Sequence, residues 1–252
     1  MSREQFPVNH PEAWPTELRQ QLEKYRKLLL NWEISPGSVS APSYDNAMYA
    51  LRNMLDSYAI TGWHCTRLTD AEIGHIKHRG MQLPDGAMLG RRIAMLEGTG
   101  EIPRDIALRL VVKNQANDSN RASRLWFCFF PPHLAGENGV GRFFRNWGGE
   151  ALYNSHERDP ETSPIIRRIG TPCIVEASVP IASLAQHGGL VFKIVRRFLI
   201  SHGYQTSERV EHEDQSVHPI PAECVRRVIV YPESDFLALT RCSTWREPLT
   251  IR

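Results

Sequence analysis

The chain has 252 residues, 41% of them apolar and 23% charged, with a formal net charge of +2 at pH 7. That length allows one large domain, or a domain with a helical appendage, around a real core. No apolar run approaches the ~20 residues of a membrane span, and the N-terminal "MSREQFPVNHPEAWP" has no apolar signal core, so a cytoplasmic protein is expected. The small positive charge neither demands nor excludes a nucleic-acid partner.

In chain order, "PTELRQQLEKYRKLLLNWE" (15–33) predicts a helix, with Leu18, Leu22, Tyr25, Leu29 and Trp32 at helical spacing and Thr16 as its cap. "SPGSVSAPS" (35–43) predicts a loop, and residues 44–60 a second helix. A short strand ending near Cys65 is expected next. In "TDAEIGHIKHRG", Thr69 with Glu72 three residues on forms a capping-box pattern, and Gly80 is placed to end that helix. Residues 87–115 carry a helical pattern broken near Gly98–Pro103, and the polar 114–123 could continue it.

"RLWFCFF" (124–130) predicts a strand stopped by Pro131–Pro132, and "LAGENGVG" (134–141) a loop. A helix is expected over Glu150–His156. Residues 171–181 alternate as a strand, "VFKIVRRFLISHG" fits a helix or a strand, and 223–232 predicts a strand stopped by Pro232. Helices first and strands later give an α+β class. The division expected is a helical region over 1–60 and a main domain over 61–252.

Five cysteines (Cys65, Cys128, Cys173, Cys224, Cys242) lie far apart, are odd in number and form no CxxC pair. This argues against a disulfide framework and a zinc ribbon. Cys128 and Cys173 read as small core residues. His75 and His78 sit three apart on a helix but have no obvious third ligand, so no metal is expected. No P-loop, GxGxxG or GxSxG occurs.

The informative stretch is "GWHCTRLTDAEIGHIKHRGMQLPD" (62–85). Side-chain alternation puts His64 and Thr66 on one strand face. A ring and a hydroxyl there can hydrogen-bond ribose hydroxyls. A second feature is "NWGGEALY": two glycines before Glu150 admit close backbone approach, while a carboxylate in the first turn of a helix also reads as a cap.

The segment resembles the first motif of the ADP-ribosyltransferase superfamily, in the His-Tyr-Glu, poly(ADP-ribose) polymerase-like branch. His64, Thr66, Arg67, Ile73, Ile76, Gly80 and Met81 match it in order, and Cys65 stands where the family has glycine. The resemblance implies a split β-sheet core preceded by helices, and NAD as substrate. It places His64 on the adenosine-side ribose, the Cys65 main chain on the nicotinamide amide and Thr66 on the nicotinamide ribose, with Arg67 beside them. The family's aromatic platform would fall on Phe143, Phe144 or Tyr153. Its acid would be Glu211 or Glu213, with Glu211 favoured because it follows Val210, or Glu150 through the glycine turn.

The implied activity is transfer of ADP-ribose from NAD to a macromolecular acceptor, protein or nucleic acid; bacterial members of the superfamily are often toxins or defence effectors. The alternatives are NAD hydrolysis, RNA 2'-phosphotransfer with Arg67, Arg91 and Arg92 around the phosphate, and a non-catalytic NAD- or nucleotide-binding protein.

Overall fold

The computed structural model describes residues 3–250, the side chain of His187 excepted. In chain order, β1 (Gln5–Phe6) is followed by α1 (Thr16–Ile34), α2 (Ala41–Leu55) and β2 (Ala59–Leu68). Then come α3 (Asp70–Arg79), α4 (Gly86–Gly98), α5 (Arg104–Val112) and β3 (Leu125–Cys128). After these, α6 (Gly136–Arg145), α7 (Glu150–His156) and α8 (Ser163–Ile166) precede β4 (Thr171–Pro180). The last elements are α9 (His187–Ser201), β5 (Glu213–Ser216), β6 (Val225–Val230) and α10 (Ser234–Thr240).

The strands form one sheet in the order β5–β3–β2–β4–β6, with β1 beside β2. It is mixed. β1 runs parallel to β2, with Phe6 opposite Ile60, and β4 antiparallel to β6, with Cys173 opposite Val230. The class is therefore α+β.

The chain divides into two compact units. The first takes the chain up to Gly62, Cys128–Phe130 and Ser178–Gln215, so the region expected over 1–60 lies inside a larger body. Here α1, α2 and α9 pack together. Leu18, Leu22, Leu29, Leu51, Leu55, Val195 and Phe198 are buried, and Trp32 stacks on Tyr44 at 4.1 Å between ring centroids. The face read from α1 is thus the buried one.

The second unit takes Trp63–Phe127, Pro131–Ala177 and the chain from Ser216. Its helices α4 and α5 close over a core that includes Leu89, Ile93, Leu96, Ile106 and Leu110, together with Trp147, Leu152 and Ile166.

Several expected boundaries are corrected. Thr16 is the first residue of α1 and does not cap it; Pro15 precedes it and supplies no side-chain bond. The second helix spans Ala41–Leu55 rather than 44–60, because Pro42 fits a first turn, where its missing N–H costs nothing. Ala59 and Ile60 pair with β1 instead. β2 continues past Cys65 to Leu68.

Residues 114–123 do not extend a helix: the Asn114 amide turns back on the carbonyls of Leu110 and Val111 at 3.3 and 2.7 Å and closes α5. The segment 134–141, expected as a loop, contributes most of α6, which buries Val140 and Phe144 four residues apart. Residues 191–203, open between helix and strand, belong mainly to α9.

Candidate functional site

β2 delivers the site residues by simple alternation. Trp63, Cys65 and Arg67 are buried, while His64 and Thr66 are half-buried on the opposite face. The His64 Nδ1 lies 2.8 Å from the carbonyl oxygen of Trp126 on β3, and its ring packs against Phe127 at 5.9 Å. A carbonyl can only accept, so Nδ1 carries the proton in the neutral ring, and Nε2 keeps an acceptor lone pair. Burial pushes the His64 ring towards the neutral form, the bond to Trp126 opposes this, and the positive charge of Arg92 adds to the effect of burial.

Arg92 comes from α4 and is fixed by α3. Its Nε donates to Oε1 of Glu72 at 2.5 Å, and its guanidinium carbon lies 4.6 Å from the centroid of the Trp147 ring. Glu72 is the centre of this cluster. It closes the expected capping box, taking the Thr69 N–H at 2.8 Å while its own N–H donates to Thr69 Oγ1 at 3.3 Å. It also accepts from Nε1 of Trp147 at 3.1 Å. The capping pattern was legible in the sequence. The link from Glu72 to Arg92, twenty residues on, carried no local signal.

Arg67, expected beside NAD, points into the interior. It is 1% exposed, and its guanidinium donates to the carbonyls of Ile169 (2.7 Å), Phe144 (3.1 Å) and Thr250 (3.2 Å). Burial pulls its pKa down to about 10, with the Cys173 sulfur opposing. It acts as an internal strut that ties strand to loop and tail. Cys65 is also buried.

The aromatic candidates are engaged internally. Phe144 is fully buried against Phe236. Tyr153 is 3% exposed, meets Phe143 edge-on at 5.7 Å, and carries the Arg142 guanidinium 3.9 Å from its ring centroid. Its hydroxyl donates to Oε1 of Glu150 at 3.1 Å, and burial followed by the Glu150 charge pushes the phenol well above its ordinary pKa.

Glu150 opens α7 directly after Gly148 and Gly149, both at positive φ (+81° and +57°), and faces Arg121 at 3.4 Å. The contacts of His64 and those of Glu150 share no residue. Glu211 and Glu213 belong to the first unit. Glu211 is half-buried before β5. Glu213 opens β5, accepts a long bond from the Cys128 thiol at 3.7 Å and is pushed towards protonation mainly by burial.

Compared with family models, curated proteins and solved structures, the chain matches none. Among the described residues no helix is long and apolar enough to cross a membrane, and no group of three or more His, Cys, Asp or Glu side chains is placed to hold a metal ion.

Proposed function

We propose that the chain takes NAD as its substrate and transfers ADP-ribose to a macromolecular acceptor, with the His64–Thr66 face of β2 as the ribose-binding surface. The observation that carries this reading is the state of His64. A neutral imidazole, tethered through Nδ1, offers Nε2 to a ribose hydroxyl, and the Thr66 hydroxyl on the same face can donate or accept. Nicotinamide departs from a ring that is already cationic, so the step needs little acid catalysis. It needs a carboxylate near the developing oxocarbenium-like ribose, and Glu211, Glu150 and Glu213 are the candidates.

A second reading is a nucleotide-binding protein without turnover. It is favoured by Tyr153 and Glu150, whose bond to each other and whose contacts with Arg142 and Arg121 occupy the groups that catalysis would use.

Radiolabelled NAD incubated with the purified chain and a lysate separates these readings. Label in the protein or nucleic-acid fraction supports transfer. Free ADP-ribose alone assigns hydrolysis. Bound NAD without release of nicotinamide gives the binding-protein reading, and no binding overturns both.

A further inference from the structure

His156 ties three helices of the second unit together. It ends α7, is 1% exposed and has both ring nitrogens bonded. Nε2 lies 2.5 Å from the carbonyl oxygen of Lys113, the residue that closes α5. Nδ1 lies 3.0 Å from Oγ1 of Thr162, the buried residue before α8. A carbonyl can only accept, so Nε2 carries the proton of the neutral ring and Nδ1 accepts from the Thr162 hydroxyl.

A second proton is costly in this place. The charged groups facing the ring are Asp159, from the segment before α8, and Lys113 and Arg109 at the end of α5. α8 carries no charged residue, and Glu157, next to His156 in the chain, is paired with Arg142. Asp159 is already committed to Arg109 Nη2 at 2.7 Å and to the N–H groups of Glu161 and Thr162 at 3.0 and 3.1 Å. A charged ring would therefore be buried beside two cations and one shared carboxylate. Burial is the first cause that pushes the ring towards its neutral form; the bond to Lys113 and the Asp159 charge oppose it, and the Lys113 and Arg109 charges add to it.

We infer that His156 is a proton-sensitive latch: when neutral it holds together the corner made by the ends of α5 and α7 and residues 157–162, and as pH falls the corner opens and takes up a proton. The main-chain bonds of that corner are local. Glu157 N–H donates to Tyr153 at 2.9 Å, Asp159 N–H to His156 at 3.1 Å and Ser163 N–H to Asp159 at 2.9 Å. Segments held by such bonds open more readily than the fold as a whole. The same helix α7 carries Glu150 and Tyr153, bonded to each other, so the latch acts on the element that positions them. The inference does not rest on NAD as substrate.

Amide hydrogen exchange of the full chain, followed by NMR from neutral pH to well below the ordinary histidine value of about 6.5, tests it. After correction for the intrinsic pH dependence of exchange, the protection of the Glu157, Asp159 and Ser163 amides is expected to fall about tenfold per pH unit below about 6.5, the slope of one proton taken up on opening. His156→Gln is the uncharged control, because its amide can donate to the Lys113 carbonyl and its oxygen can accept from Thr162. In that variant the protection of the same amides is expected not to change with pH. A second measurement needs no variant: the carbon-bound ring protons of His156 in the folded wild type are expected to report a titration below about 6.5.

The inference is overturned if protection of the corner in the wild type does not change with pH, or if His156→Gln keeps the wild-type slope. A folded ring that titrates at or above about 6.5 also overturns it, since closure would then favour the proton. So does exchange of the three amides only as slow as that of β4, since the corner would then open only with the whole fold. No ligand is present in these measurements, so their outcome is separate from that of the NAD experiment.

Discussion

The Trp126 carbonyl oxygen, 2.8 Å from His64 Nδ1, fixes Nδ1 as the protonated nitrogen of the neutral ring. A main-chain acceptor cannot rotate away or change protonation state, so β3 dictates the tautomer on β2. On the proposed reading, NAD is expected to raise the melting temperature by mass action. His64→Ala should reduce that shift, and an unchanged melting curve at millimolar NAD would count against the NAD reading.

The same ring makes a pH prediction. Its folded-state pKa is lowered, first by burial. A depressed histidine leaves stability intact above its unfolded value of about 6.5, and that stability is lost as pH falls through the lower folded value. His133 and His156 are lowered in the same direction, again first by burial. Unfolding free energy should decline as pH falls below about 6.5. His64→Asn should flatten part of the decline while the other two histidines maintain the rest. A profile identical in wild type and variant sinks the assignment.

The carboxylates make separable predictions. On the proposed reading, Glu211→Gln is expected to abolish ADP-ribose transfer or NAD hydrolysis while NAD still stabilises the fold, because a carboxylate in that role acts mainly on the developing cation. Glu150 is bonded to Tyr153 and opens α7, so Glu150→Gln should cost about 0.3–1 kcal/mol of stability and leave turnover largely intact. Nicotinamide release checks the first outcome and urea titration the second. Full turnover in Glu150→Gln, Glu211→Gln and Glu213→Gln alike ends the His-Tyr-Glu assignment.

What was legible in the sequence follows from the range of the interactions involved. The Thr69–Glu72 box, the α1 face and the break between α4 and α5 depend on residues three to five apart, and periodicity reports those. The alternation of His64 and Thr66 against Cys65 and Arg67 is a property of any strand. The role of Arg67 was not readable, since its partners lie 77, 102 and 183 residues away. The helix α6 hid behind three glycines, whose low propensity outweighed a real Val140/Phe144 stripe until packing decided the matter.

Gly80 makes a sharper test of the motif's end. It has a φ of +75°, and a β-carbon there would lie 2.1 Å from the Ile220 carbonyl oxygen, where Met81 and Ile220 form an antiparallel bridge. Both the conformation and the space exclude a side chain. Gly80→Ala is expected to destabilise the chain by roughly 1–3 kcal/mol or more. A variant with unchanged thermal stability would show that the bridge to Ile220 does not form.

Glu72 carries the most consequential prediction, because one carboxylate serves α3, Trp147 and Arg92 together. Burial raises its pKa. The Arg92 charge and the bonds from Arg92, Thr69 and Trp147 together more than reverse this, so the group sits below the ordinary carboxylate range. Its contribution is therefore fully present above about pH 4.3 and is lost as pH falls through the depressed value. Replacing it with alanine leaves a half-buried guanidinium and a buried indole N–H without their acceptor, at roughly 2–4 kcal/mol. Glu72→Gln keeps the shape and an acceptor oxygen but removes the charge, and should cost less. In urea titrations the gap between wild type and Glu72→Gln should be widest near neutrality and close below the depressed pKa. A gap independent of pH would mean that Glu72 acts through shape alone, and that Arg92 is not held by its charge.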